Sequence, residues 1–477
     1  MNLTLSHQRG ITKTITAILV IVIIIIAGVG AYFYYVSTLP PKTTTSALSG
    51  SITVTAEAGY SDTAAKQIAD NFMALYPNTH ITVDPISYGN TVADYVTAFS
   101  SNQDVYDVVY FPPIGFMGPI LPYLLNLEPY VNNPSYFPSS FNISDIMPSA
   151  MAPYEINGTL VAIPHAADAM LFYYRPSYFN NVTNQQLFQQ EYGYALPNPA
   201  TATLTLQQLV DVANFFNGAH GSKYGIVIMS GSLDDDMMDT MEALFAGPRV
   251  AASSIYGPVT APYGELFSSN GQLLTNTSIF QSTVSVLTQL IKDSPDPLTA
   301  SFTMVPGLFE SGDAPMMLYW TAAISGLASS PIANDWAIAP SLPGAPSGRA
   351  ISLLGGEAFG VYKYTHNLPL ALAFVEFASS PSQSVYYMSN DSLLPVRYSM
   401  FTVAAQQNLL PAQALNAFSS NYANSIQGSG NLPYWNSISA YFRTEVPSVV
   451  TGSASIQQAT SIITSESVHA GATAYAS

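Results

Sequence analysis

Glu57, Tyr60, Tyr88, Tyr110 and Phe111 fall at or just beyond the ends of runs that read as β-strands. Carboxylates beside aromatic rings suit a ligand that offers both an apolar face, on which a ring packs, and polar groups, which acids and amides bond. The same residue types could instead hydrolyse a glycoside, which takes two carboxyls at a defined separation, and Glu57, Asp168 and Glu357 are the candidates for such a pair. Other chemistries lack their residues. With no cysteine there is no disulfide framework, thiolate nucleophile or thiolate metal site. The six His show no H-E-x-x-H or other paired spacing, so no metal is assigned. The triplet Asp234-Asp235-Asp236 does not alternate as calcium ligands do, and it precedes the apolar run MMDTMEALF, so it reads as a helix N-cap. Neither G-x-S-x-G, a P-loop nor a dinucleotide fingerprint occurs. The chain is expected to bind rather than catalyse, without a cofactor.

The elements that must position these residues read as α/β. SITVTAEAG, from Ser51, is strand-like; a helix follows, capped by Ser61 or Asp62, with Ile68, Phe72 and Leu75 on one face, and Pro77 stops it. Then come an extended HITVDPI, a helical stretch near Asn90–Phe99 and the apolar strand Asp107–Phe111. Strand, helix, strand, helix, strand implies a parallel sheet. Ligands in such sheets lie beyond the C-terminal strand ends, which places Glu57–Ser61 and Tyr110–Pro113 in a cleft. By alternation, one of Tyr110 and Phe111 is strand core.

Composition bounds the partners. The 477 residues are 48% hydrophobic, which rules out disorder, yet only 9% are charged, with 12 Lys+Arg against 29 Asp+Glu and a net charge of −17. Nucleic acid is excluded as a partner, because phosphate binding needs clustered Lys and Arg. An anionic ligand is disfavoured for the same reason. The sparse charge has two readings. In strong acid the net charge could swing to roughly +18, so few titrating groups limit charge-driven unfolding in an acidic exterior; alternatively the surface is simply uncharged and glycosylated.

From Thr14 to Val36 there is no charged residue, and Ile15–Val29 is almost continuous Ile, Val, Leu and Ala, long enough to cross a bilayer. Tyr32, Phe33, Tyr34 and Tyr35 form an aromatic belt, and Arg9 and Lys13 before the span favour a cytoplasmic N-terminus with the bulk of the chain outside. A cleaved secretory peptide would have a shorter apolar core and an A-x-A-like site. The stretch Arg9-Gly10-Ile11-Thr12 resembles the prepilin-like signal of archaeal surface proteins, which implies cleavage between Gly10 and Ile11 with the helix retained. Residues 37–50, STLPPKTTTSALSG, read as a stalk. Asn142, Asn157, Asn181, Asn276 and Asn390 stand in N-x-S/T sequons, as suits an exported chain.

Several segments beyond the stalk fit one pattern. YEINGTLVAIPHAADAMLFYYRPSYF from Tyr154 resembles the "dG-k-ygiP…lyYrkdlf" segment of extracellular solute-binding proteins of the maltose-binding type. DVVYFPPIGFMGPILPYLL (107–125), TLTLQQLVDVANFF (203–216), FESGDAPMMLYWTAAISGL (309–327), Gly355–Ser380 and NLPYWNSISAYFRTEVPSVVT (431–451) resemble further marks of that family, in collinear order over the whole exported part. The 203–216 stretch lacks the family's Trp and acidic residues.

The resemblance implies a two-lobed α/β periplasmic-binding-protein-like fold with an interlobe cleft, here preceded by one transmembrane helix. Lobe 1 would comprise about 51–166 and 355–400, and lobe 2 about 167–354 and 401–477. It implies that Phe111 stands where the family has a stacking Trp, that Asp168 is the carboxylate after the first crossing with His165 beside the hinge, and that Trp320 stacks on ligand. Gly355 and Gly356 would let backbone amides approach a ligand next to Glu357. The implied role is capture of a mono- or oligosaccharide for a membrane permease driven by a separate ATPase, as the substrate-binding subunit of an ABC importer. Alternatives are another solute (peptide, iron chelate or polyamine), an exported glycosidase, or a surface-layer or pilus-like component.

Overall fold

The computed structural model describes residues 48–101, 105–112, 117–156, 158–232, 235–259, 264–421, 426–428 and 435–471. The predicted span at 14–36, the Gly10–Ile11 site and most of the stalk lie outside these residues. Among the described residues no helix is long and apolar enough to cross a membrane. Gly50, assigned to the stalk, already belongs to the first strand and pairs with Thr79.

The strands are β1 (Gly50–Glu57), β2 (Thr79–Ile86), β3 (Val108–Phe111), β4 (Glu155–Ile156), β5 (Thr159–Leu160), β6 (Ala162–Tyr174), β7 (Val227–Ile228), β8 (Met316–Trp320), β9 (Ala337–Ile338), β10 (Leu353–Val361) and β11 (Ile426–Gln427). β4 and β5 form a hairpin apart; the others make one sheet in the order β2-β1-β3-β10-β6-β8-β7, with β11 on β10 and β9 on β6. The parallel sheet expected from the opening elements holds for β1 with β2 and β3. It ends at β3, which β10 joins antiparallel.

β6 and β10 run through both halves of this sheet. Ala162–Met170 of β6 pairs with β10, and Met170–Tyr174 pairs with β8; β10 meets β11 at Leu353–Leu354 and β3 at Ala358–Val361. Such doubly flanked strands must be apolar on both faces, and all thirteen residues of β6 are buried. On the β1–β3 side pack the helices Asp62–Leu75, Leu368–Ala378 and Pro381–Asp391. Phe72 of the first meets Phe374 and Phe377 edge-on at 5.6 and 5.4 Å. Ile68 and Phe72 are buried as their spacing predicts, but Leu75, in the last turn, is 61% exposed. The helices Asp236–Ala251, Ser278–Lys292, Trp435–Val450 and Ile456–His469 pack together on the β7–β8 side. Two lobes thus share one sheet, joined through β6 and β10. The sequons at Asn142, Asn181, Asn276 and Asn390 are exposed, and Asn157 lies outside the described residues.

Candidate functional site

Strand register brings distant parts of the chain to one place. Glu57 and Ile86 end β1 and β2 side by side, so the following loops present Glu57–Tyr60 and Ser87–Tyr88 together. On the crossing strands Asp168 sits opposite Gly355, and β8 places Trp320 opposite Met170 two residues further on. The register shifts between Glu357 and Ala358, and the helix Asp236–Ala251 adds its first turn. These pieces enclose a cavity of about 620 Å³.

Its wall has three kinds of chemistry. Aromatic faces come from Tyr60, Tyr88, Phe302 and Trp320; carboxyls come from Glu57, Asp168, Asp235, Asp236, Asp239 and Glu357; Ser87, Asn90, Ser301 and Thr303 add hydroxyls and an amide. Among the described residues no Lys, Arg or His lines it.

Asp168 is the most tightly held acid. Its Oδ1 accepts from the backbone N–H groups of Ala169 (2.7 Å) and Thr321 (2.9 Å) and from the Thr321 hydroxyl, and its Oδ2 accepts from the Tyr60 hydroxyl. Tyr60 comes from the β1 side and Thr321 from the β8 side, so this carboxyl ties the lobes together. The Tyr60 ring also meets Phe302 edge-on across the cleft at 6.0 Å. Burial still pushes Asp168 up to about 6 despite its donors.

Glu357 is pushed further, to about 8, by burial, with a partial offset from the Ser61 hydroxyl that it accepts at 3.1 Å. Its other oxygen faces His165 Nε2 at 3.3 Å. That contact is not an ion pair, because burial lowers His165 to about 3. Glu57 is raised well above the usual carboxylate range by burial and by the charges of Glu357 and Asp168. Asp239 is raised well above it by burial and by Asp235 and Asp236.

Seven of the ten residues expected at the ligand line the cavity: Glu57, Tyr60, Tyr88, Asp168, Trp320, Gly355 and Glu357. The other three lie elsewhere. Phe111, expected to stack on ligand, is fully buried against Tyr154, and Tyr110 is fully buried with its hydroxyl 3.1 Å from Thr91. Alternation predicts one buried ring; both are buried because β3 lies between β1 and β10 and is covered on both faces. His165 sits behind Glu357, stacked on Phe359 at 4.1 Å. Gly355, which lines the cavity, also seats a side chain: a Cβ there would lie 2.7 Å from Trp320 Cζ3. Gly356 has a φ of 131°, and a Cβ there would meet the Ala166 carbonyl oxygen at 2.6 Å.

The acidic triplet is also placed differently. Asp235 is the N-cap residue, but its side chain makes no capping bond and instead accepts from Ser439; Asp236 accepts from Phe302 N–H at 2.8 Å. Asp239 accepts from Trp320 Nε1 at 3.2 Å. Asp234 lies outside the described residues. Asp235 and Asp239 are four residues apart and share a helix face, a spacing visible in the sequence. Phe302, Ser301 and Thr303 lie in a segment with no periodic signal. Among the described residues no group of acids and His could hold a metal ion.

Maltose-bound MalE3 of T. maritima is 20% identical and has a TM-score of 0.69, with 88% of this chain and 99% of that one covered. A solute-binding protein of Agrobacterium radiobacter K84 in complex with ribitol is 19% identical at a TM-score of 0.70, covering 89% and 99%. The GacH receptor of Streptomyces glaucescens GLA.O, studied with acarbose, is 19% identical at 0.65, covering 88% and 97%. These likenesses confirm the two-lobed fold. The sequence itself matches the model of one family, described as bacterial extracellular solute-binding protein, over residues 58–385, and the chain belongs to that family.

Proposed function

We propose that this chain is the substrate-binding subunit of an ABC importer, capturing a sugar in the cleft and handing it to a permease with a separate ATPase. The observation that carries the reading is the cavity wall: aromatic faces interleaved with carboxyls and hydroxyls, the two surfaces that a pyranose or polyol presents in reverse. Relatives of this fold solved with maltose, ribitol and acarbose support it. The site residues are Glu57, Tyr60, Tyr88, Asp168, Trp320, Gly355 and Glu357. Phe302 and Asp239 join them, and the chain carries out no turnover.

The sequence supports a location to match. The apolar run 14–36 anchors the chain, after cleavage between Gly10 and Ile11, with residues 51–166 and 355–400 as one lobe and 167–354 and 401–477 as the other, outside an archaeal cell. A tether holds the cleft at high effective concentration beside its permease. The exposed sequons carry glycans.

Calorimetry with a panel of sugars and polyols against the full-length chain in detergent tests the reading. One or more should bind at a 1:1 ratio, and Trp320→Ala should weaken that binding. If none binds while a peptide, iron chelate or polyamine does, the carbohydrate assignment fails. Turnover of chromogenic glycosides abolished by Asp168→Asn would reverse the non-enzyme reading.

A further inference from the structure

Among the described residues the cleft gathers six carboxyls around one cavity, with no cation in its wall. We propose that it takes an uncharged, hydroxyl-bearing ligand while Glu57, Asp168, Asp239 and Glu357 hold protons, so that the ligand is captured in acid and released as the medium approaches neutrality. The proposal rests on the sugar reading above and adds the protonation state in which the site works.

The groups that face one another decide it. Glu57 and Tyr60 come from the end of β1, Tyr88 from the helix after β2, Asp168 from β6, Asp235, Asp236 and Asp239 from the helix Asp236–Ala251, and Glu357 from β10. Behind Glu357 stand His165 and, on the helix Pro381–Asp391, Tyr387 and Asp391. The only base among them is His165, held neutral by burial. Asp239 Oδ1 is buried at the cavity wall with no hydrogen-bond partner. An ionised carboxylate left that way costs several kcal/mol, whereas a protonated one can donate to a ligand hydroxyl.

A cationic ligand could in principle neutralise the same cavity. The rest of the chain argues against that. Asp293, outside the cavity lining, has Oδ2 unpartnered, and burial holds its carboxyl up although Asn217 and Lys292 act the other way. Asp391, behind the cavity wall, is pushed up to about 7 by burial. Asp391 is outside the cavity lining and no cation acts on it, so an acid kept protonated mainly by burial already stands beside the cleft, in a chain in which 9% of residues are charged.

Lobe closure removes the facing acids from water and raises their proton affinity, so the closed, ligand-bound state should hold more protons than the open one. Each linked proton then weakens binding about tenfold per pH unit between the group's open-state and closed-state pKa. The test is calorimetry on the full-length chain with maltose and ribitol from pH 4 to pH 8, repeated in buffers of different ionisation heat, with glucosamine and spermidine as cationic probes. Binding of a neutral probe should weaken about ten- to a hundredfold from pH 5 to pH 8, with net proton uptake at pH 7. Glu357→Gln should reduce that slope, while Glu466→Gln, on an exposed helix face, should leave it alone. Binding that is independent of pH, that tightens toward pH 8, or that prefers glucosamine to the neutral probes overturns the inference and leaves a carbohydrate site standing, whereas binding of spermidine alone removes the sugar reading with it. Failure of every sugar at every pH removes both readings.

Discussion

Gly355→Ala is a sharp test of how the ligand wall is built. Gly355 does not have the left-handed backbone that excludes alanine, so the substitution is purely steric. Its Cβ would lie 2.7 Å from Cζ3 and 3.0 Å from Cη2 of Trp320. Carbon atoms rest at about 3.5–4.0 Å, so the indole must retreat by roughly 0.8 Å or more, toward the cavity. Trp320 cannot swing freely, because its Nε1 bonds Asp239 at 3.2 Å and the residue is only 6% exposed. Overpacking of this kind costs about 1–3 kcal/mol of stability. A stacking face displaced into the ligand's space should also weaken sugar binding by about 1–2 kcal/mol, a factor of roughly 5–30. Thermal melting and calorimetry should be run on Gly355→Ala, Trp320→Phe and the double variant. The smaller ring lacks the clashing atoms, so the alanine should cost less in the Trp320→Phe background, with a coupling of about 0.5–3 kcal/mol. Equal costs in both backgrounds, or a Gly355→Ala protein that melts and binds like the parent, would refute the idea that glycine is there to seat the indole.

Tyr60→Phe removes the donor to Asp168 Oδ2 and with it a link between the lobes; affinity should fall by about 1–3 kcal/mol, and unchanged titrations would contradict this role. Arg397 is fully buried, donates to the carbonyls of Ser379, Phe141 and Asn142, and lies 4.5 Å over the Phe141 ring. Arg397→Leu should therefore lower stability by about 3–5 kcal/mol in denaturant melts, whereas a loss under 1 kcal/mol would mean the carbonyls find water. For the ligand-free protein, Asp168, Asp391 and Glu357 keep their protons up to about 6, 7 and 8, beyond the range where the unfolded chain has lost them. Their contribution therefore falls as pH rises from about 4 through 8. His165, lowered to about 3, works the other way, since the unfolded chain takes up a proton below about 6.5 that the fold refuses. Three groups outweigh one, and the melting temperature should be higher at pH 5 than at pH 8; the reverse order would break the argument.

The sequence by itself determined the local pieces and their order. Periodicity located β1, the helix Asp62–Leu75, β2 and β3, because alternation and the 3.6-residue repeat are properties of neighbouring residues. Strand ends followed from the same pieces, which is why Glu57, Tyr60 and Tyr88 could be named as cleft residues. The collinear motifs announced the two-lobed family.

What the tertiary structure alone decided was which side chains of a strand or helix meet the cleft. Phe111 and Tyr110 look like ligand platforms until β10, some 250 residues later in the chain, closes over β3. Asp235 and Asp236 look like helix-capping acids until Ser439 and Phe302 come to bond them. Nothing near Gly355 in the sequence announces the Trp320 ring that β8 lays against it. In each case the deciding contact joins segments far apart in sequence through strand register or lobe closure, and no short-range pattern carries that information.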